Sequence, residues 1–185
     1  MVQTERFRRQ GCKPEKNRHS QLKLIEGVPM SIEVNAPIPE FAPLKATSDT
    51  EVSSETLKGQ FSVLYFYPKD STPGCTTESQ DFSTLHAKFE ALGCQIFGVS
   101  RDSIKSHENF KAKESMPFEL ISDPDEALCN AFDVMKMKNM YGKQVRGVER
   151  STFLIDQTGK VVAEWRKVKV PGHAEEVLET LKGLS

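Results

Sequence analysis

The stretch that most constrains this chain is Phe61 to Phe82, FSVLYFYPKDSTPGCTTESQDF. Phe61, Val63, Leu64, Tyr65, Phe66 and Tyr67 form an apolar, aromatic-rich run closed by Pro68, the pattern of a strand buried on both faces. Beyond it Phe82, Leu85, Phe89 and Leu92 recur at helical spacing. Thr72 suits the N-cap of that helix, and Pro73 its first position, where a missing N–H is not felt. In this register Cys75 falls in the first turn, where unpaired backbone N–H groups and the positive end of the helix dipole favour a thiolate over a thiol. A lone cysteine is more often a small buried hydrophobe, so its neighbours must decide between the two readings.

The rest of the chain supplies the frame. Residues 31–44 are too proline-rich for regular structure and are expected to run extended along the surface, and 45–59 holds a small hairpin or turn. Gly93 stops the Cys75 helix. Gln95 to Ser100 gives a second buried strand, Ser103 to Ser115 a polar helix, Phe118 to Ser122 a third strand and Glu126 to Phe132 a short helix. Val134 to Val148, with Met135, Met137, Met140 and Tyr141 among lysines and glycines, is expected to be a loop near the site. Thr152 to Ile155 and Val161 to Trp165 flank a hairpin turn, and Pro171 to Leu184 closes the chain as a helix burying Ala174, Val177, Leu178, Leu181 and Leu184. This order predicts an α/β fold whose central sheet is covered on both faces.

With 185 residues the chain is most simply one domain, large enough for a core without disulfides or metal. A net charge of −1 calls for no nucleic acid or anionic membrane. No stretch is apolar enough for a membrane span or a secretory signal, so a cytoplasmic location is the expectation. Residues 1–29 differ in kind. Up to Gly27 they hold seven Lys/Arg against three Asp/Glu, +4 against −5 for the remainder. They are read as a basic extension without regular structure preceding the domain at 30–185, with a targeting segment or a nucleic-acid contact as sharper alternatives.

Pro68, Thr72 and Cys75 stand in the spacing Pro-x-x-x-Thr-x-x-Cys, which resembles the active-site signature of the peroxiredoxins. The wider run FYPKDSTPGCTTE is similar to the Q type of that family, also called bacterioferritin comigratory proteins. FGVSRDS, LISDPDE, MYGKQVRGVERSTFLIDQTGKVV and WRKVKVPGHAEEVLETL resemble it too, so the likeness runs from about Met30 to the C-terminus. It implies a thioredoxin-like fold with a central mixed sheet and helices on both faces. It also implies a thiol-dependent peroxidase, reducing hydrogen peroxide and organic hydroperoxides through a sulfenic acid on Cys75, without metal, haem or flavin. Pro68 would shield the sulfur, the Thr72 hydroxyl would bond the peroxide, and Arg150, at the head of the strand Thr152 to Ile155, would supply a fixed cation. On position alone Pro68 is a strand terminator, Thr72 a helix cap and Arg150 a solvated edge charge.

The sequence departs from much of that family in its other cysteines. Where many Q-type members carry a resolving cysteine, five residues after the reactive one, stands Gln80, and Ser103 to Ser115 contains none. Cys94 and Cys129 read as core, and Cys12 lies in the basic extension. The expectation is a one-cysteine cycle regenerated by glutathione, glutaredoxin or thioredoxin, in a protein that by family analogy is a monomer. A redox sensor or holdase-like interaction protein, oxidised at Cys75 without turnover, is the alternative. A thioredoxin-type oxidoreductase would need the Cys-x-x-Cys that is absent. His86, His107 and His173 are expected to be solvated or capping, Lys69 and Asp70 to be surface residues, and Arg101 and Asp102 to hold a turn or the active-site loop. Whether Glu78 bonds Arg150 is left open.

Overall fold

The computed structural model describes residues 32–185. The readings of residues 1–29, with Cys12 and His19, lie outside them. Thirteen elements follow in chain order: β1 (Leu44–Ala46), β2 (Thr50–Val52), β3 (Phe61–Phe66), α1 (Pro73–Ala91), β4 (Cys94–Ser100), α2 (Ile104–Glu114), β5 (Glu119–Ser122), α3 (Ala127–Ala131), β6 (Met135–Met140), β7 (Lys143–Val148), β8 (Ser151–Ile155), β9 (Val161–Trp165) and α4 (His173–Lys182). Seven strands form one mixed sheet in the order β2-β1-β5-β4-β3-β8-β9. The β3–β4 and β4–β5 pairs are parallel and the others antiparallel.

The apolar run at β3 is continuous because its two faces feed two separate cores. Val63, Tyr65 and Tyr67 pack with Phe82, Leu85 and Phe89 of α1 and with Val177, Leu178 and Leu181 of α4. Leu64 and Phe66, pointing the opposite way, pack with Val99, Leu128, Phe132 and Phe153. With helical elements on both sides, β3 sits mid-sheet and its carboxyl end hands the chain to α1.

Local signals set most boundaries. Gly93, at φ +67°, receives α1 and donates its N–H to the Glu90 carbonyl at 2.9 Å. Ser103 caps α2, its hydroxyl accepting from the Ser106 N–H at 3.3 Å, and Ser115 ends it in a left-handed conformation two residues before Pro117. The extended segment at 32–38 is tied down more firmly than expected. Its Ile32 and Ile38 are buried, and the Asn35 and Ile38 N–H groups donate to the Val161 and Gly159 carbonyls beside β9.

Two readings are corrected. Leu184, expected to be buried by the last helix, lies beyond the end of α4 and is exposed. Residues 134–148 are not a loop: β6 and β7 pair antiparallel from Met135↔Val148 to Met140↔Lys143, turning at Tyr141 and Gly142, which both have positive φ. Between Val134 and Val148, both fully buried, most side chains of this ribbon face solvent, so no apolar alternation betrays it in the sequence.

Gly98 in β4 shows how tightly the layer above β3 is filled. A Cβ there would lie 2.7 Å from both the Tyr65 hydroxyl oxygen and Leu120 Cδ2. Tyr65 cannot retreat easily, because its ring stacks on Phe82 at 4.9 Å and its hydroxyl bonds Ser79 at 2.9 Å. Gly98→Ala is therefore expected to destabilise the fold by about 1–3 kcal/mol, read as a lower urea midpoint at unchanged slope.

Candidate active site

The site forms where β3 ends and α1 begins. Tyr67 still bonds the neighbouring strand, donating its N–H to the Val99 carbonyl at 3.0 Å, and Pro68, half-buried and lacking an N–H, ends the ladder. Ser71 takes a left-handed φ of +58°, and Thr72 is extended (φ −84°, ψ 152°) at the N-cap position. The expected cap bond is not made. Thr72 Oγ1 donates instead to the Lys69 carbonyl at 2.9 Å, closing the loop on itself.

Cys75 lies in the first turn of α1 with 1% of its surface exposed. Its sulfur faces the guanidinium of Arg150, whose Nη2–H donates to Sγ at 3.3 Å. The sheet explains the meeting of residues 75 positions apart. Strand β8 runs antiparallel to β3 with Ser151 opposite Phe66, so the residue before Ser151 arrives at the carboxyl end of β3. The Val168 N–H, donating to the Arg150 carbonyl at 3.0 Å, fixes its backbone. A Cβ at Gly74 would lie 3.2 Å from Arg150 Nη2, so a glycine just before Cys75 leaves room for the guanidinium.

Glu78, one turn on from Cys75 and 1% exposed, takes the other arm of the guanidinium, its Oε2 accepting from Arg150 Nη1. Arg150 thus spans sulfur and carboxylate with its planar fork, as a lysine could not. Burial pushes the Glu78 carboxyl up to about 7 although Arg150 pulls it down, and Glu78 Oε1 has no hydrogen-bond partner. Burial alone would lower the Arg150 pKa, but the charges of Glu78 and the Cys75 sulfur outweigh it and raise it, so the side chain stays cationic. The structure brings Cys75, Arg150 and Glu78 into contact, with Pro68 and Thr72 in the adjoining loop. The Thr72 hydroxyl makes no hydrogen bond to Cys75 or Arg150.

The other two cysteines among the described residues, Cys94 and Cys129, are core, as expected. Cys94 and Cys129 are buried without disulfides. Burial pushes the Cys94 thiol up to about 12, and burial together with the nearby Asp123 carboxylate pushes Cys129 up as well. Among the described residues no cluster of His, Cys, Asp and Glu could hold a metal, and no helix is long and apolar enough to cross a membrane.

Three polar residues are placed otherwise than expected. Asp70 is buried rather than on the surface, and Lys69 beside it is exposed. His107 is fully buried with Nδ1 2.8 Å from Asp70 Oδ2. His173 is buried against Phe82 and Trp165, bonded to Thr152 Oγ1 at 2.7 Å, and burial lowers its pKa to about 4. Asp102 does hold the active-site loop, accepting from the Asp70 N–H at 3.0 Å, whereas Arg101 pairs with Glu126 at 3.0 Å. Pairing across tens of residues leaves no periodic trace, so nothing in the sequence alone marks Asp70 or His107 as interior.

Residues 34–164 match the family model described as AhpC/TSA. The chain is 59% identical over 140 residues to the peroxiredoxin Bcp of Xanthomonas campestris pv. campestris, covering 76% of this chain and 88% of that one. It is 49% identical to the peroxiredoxin Bcp of Bacillus subtilis, covering 84% and 99%. A solved structure of the Xanthomonas campestris bacterioferritin comigratory protein, from work on its alkyl peroxide reduction, superposes with a TM-score of 0.74 at 57% identity, covering 77% of this chain and 91% of that one. The fold is therefore thioredoxin-like, and the chain belongs to the peroxiredoxins, within their Q-type or bacterioferritin comigratory branch.

Proposed function

We propose that this chain reduces hydrogen peroxide and organic hydroperoxides with Cys75 as nucleophile and an external thiol as reductant. The observation that carries the reading is the Arg150 N–H at 3.3 Å from a sulfur in the first turn of a helix. The Cys75 thiolate attacks one peroxide oxygen. The S–O bond forms as the O–O bond breaks, leaving a sulfenic acid, and the departing oxygen takes a proton to leave as water or alcohol. Arg150 meets the charge that develops as the O–O bond stretches, and the Cys75 backbone N–H, without an intrahelical partner at this position, holds the substrate. Thr72, its own proton engaged by the Lys69 carbonyl, presents lone pairs to the peroxide O–H. Pro68 keeps water from the sulfur. The alkyl peroxide reduction described for the Xanthomonas relative supports the organic substrates.

The one-cysteine cycle rests on Gln80, on the absence of cysteine from α2, and on the burial of Cys94 and Cys129. A thiol of glutathione, glutaredoxin or thioredoxin attacks the sulfenic sulfur, releasing water, and a second thiol frees Cys75 from the mixed disulfide. The protein acts as a cytoplasmic monomer.

Peptide mass mapping without reductant, after one equivalent of peroxide, tests the cycle. Cys75 is expected as a sulfenic acid, trappable by dimedone, and a disulfide from Cys75 to Cys12, Cys94 or Cys129 would overturn the one-cysteine proposal. Added thiol is expected to restore repeated turnover. Consumption that stops at one equivalent with each donor class would favour a sensor.

A further inference from the structure

Beneath the loop that carries Pro68 and Thr72 lies a polar cluster that the chemistry above does not use. Asp70 is the only residue of that loop with a buried acidic side chain, and its carboxylate accepts on every side. Tyr67 donates its hydroxyl to Oδ1 at 2.7 Å, and Ser106 donates its hydroxyl to Oδ2 at 2.7 Å. His107 Nδ1 lies 3.0 Å from Oδ1 and 2.8 Å from Oδ2. The other ring nitrogen, Nε2, lies 3.1 Å from the Ile121 carbonyl of β5.

Both nitrogens of His107 thus face acceptors. A carbonyl can only accept, and a carboxylate already receiving two hydroxyl protons has only lone pairs left to offer. A neutral imidazole carries one N–H, so in either tautomer a lone pair would confront an oxygen at hydrogen-bonding distance, in a site without solvent. With Asp70 ionised, only the ring carrying both protons satisfies every atom. Burial pushes the Asp70 carboxyl upward, but the hydrogen bond and charge of His107, with the hydroxyls of Tyr67 and Ser106, outweigh it and leave it below the usual carboxylate range. The groups touching the ring are Asp70, Tyr67 and, from β5, the uncharged Ile121 carbonyl; Phe110 of α2 packs against Tyr67.

We propose that His107 is a positioning residue for the peroxidatic loop, a buried imidazolium that clamps Asp70 and through it sets the loop bearing Pro68 and Thr72. The mechanical path is short. Asp70 is held at its side chain by His107 and at its N–H by Asp102; it sits next to Lys69, whose carbonyl orients the Thr72 hydroxyl. Ser71, between the clamp and Thr72, keeps a left-handed backbone that a non-glycine residue holds only when its surroundings impose it. The clamp is what imposes it. Assigning the loop a purpose rests on the peroxidase reading above, but the clamp itself is testable without turnover.

The experiment is nitrogen-15 NMR of the histidine side chains in the full chain at neutral pH, with amide hydrogen exchange over residues 69–72. In the wild type both His107 nitrogens are expected to carry protons; a singly protonated ring overturns the proposal. In Asp70→Asn the amide can donate to a neutral ring, so one His107 N–H signal should vanish while protection of the loop stays within about threefold. In His107→Ala exchange at 69–72 should quicken about tenfold or more, and kcat/KM for hydrogen peroxide should fall about 10- to 100-fold. Unchanged exchange in a folded His107→Ala protein overturns the proposal. If His107→Ala does not fold, Asp70→Asn decides alone: retention of both His107 N–H signals there contradicts the clamp. A wild type with a doubly protonated His107 and no peroxide turnover would instead sink the peroxidase reading and leave the clamp standing.

Discussion

Cys75→Ser is expected to abolish peroxide consumption, by about four orders of magnitude or more, in a protein that still folds. A serine hydroxyl remains protonated at neutral pH and cannot replace a thiolate as the attacking group. The structural effect is small by comparison. Serine keeps an acceptor for the Arg150 N–H that now meets Sγ at 3.3 Å, and it is smaller than the side chain it replaces. The substitution keeps every carbon of the side chain, so the change in unfolding free energy should stay within about 1–2 kcal/mol. Loss of peroxide from solution, followed with saturating thiol, and a thermal melt together separate lost chemistry from lost fold. Normal turnover in a folded Cys75→Ser protein would mean that another group is the nucleophile.

Arg150→Ala is expected to lower kcat/KM for peroxide by about 10²- to 10³-fold, the range seen when one preorganised donor is removed from a developing charge. Two functions vanish together, since the same guanidinium faces the sulfur and holds Glu78. Glu78 would be left buried without its cation. Because burial already pushes that carboxyl up to about 7, with Arg150 opposing, the variant's Glu78 should simply take up a proton at neutral pH. The fold is thereby spared a buried unpaired charge, and the melting temperature should drop by only a few degrees. Arg150→Lys separates charge from geometry. An ammonium can sit near the sulfur or near Glu78, but it lacks the fork that serves both, so its rate should fall between wild type and alanine. Steady-state rates over a range of peroxide concentrations for the two variants check this order. An alanine variant as fast as the wild type would show that the guanidinium is not used.

The sequence made the scaffold legible wherever burial follows a period. The run at 61–67 is apolar on both faces because it lies mid-sheet between two cores, and the helix bearing Cys75 begins at Pro73 and stops at Gly93 as its punctuation demands. The ribbon at 135–148 was hidden because its pairing is made by backbone groups and its side chains are largely in water. In the site, the spacing of Pro68, Thr72 and Cys75 was readable, and Arg150 came only through family likeness. What no pattern carried was the polar wiring. Glu78 with Arg150, and Asp70 with His107, are pairs 72 and 37 residues apart, brought together by the order of strands and not by any local rule. Thr72 teaches a smaller lesson: its position at the helix start was right, yet its hydroxyl turned back to Lys69.

That only 1% of Cys75 is exposed has a consequence for the proposed cycle. A hydroperoxide is small enough to slip through a narrow opening, whereas the thiol of another protein comes attached to a body that cannot follow it in. In the proposed cycle, oxidation by a small peroxide would need less opening of the site than repair by a bulky protein thiol. Under that cycle, a protein thiol would reach the oxidised sulfur only when the walls around it part.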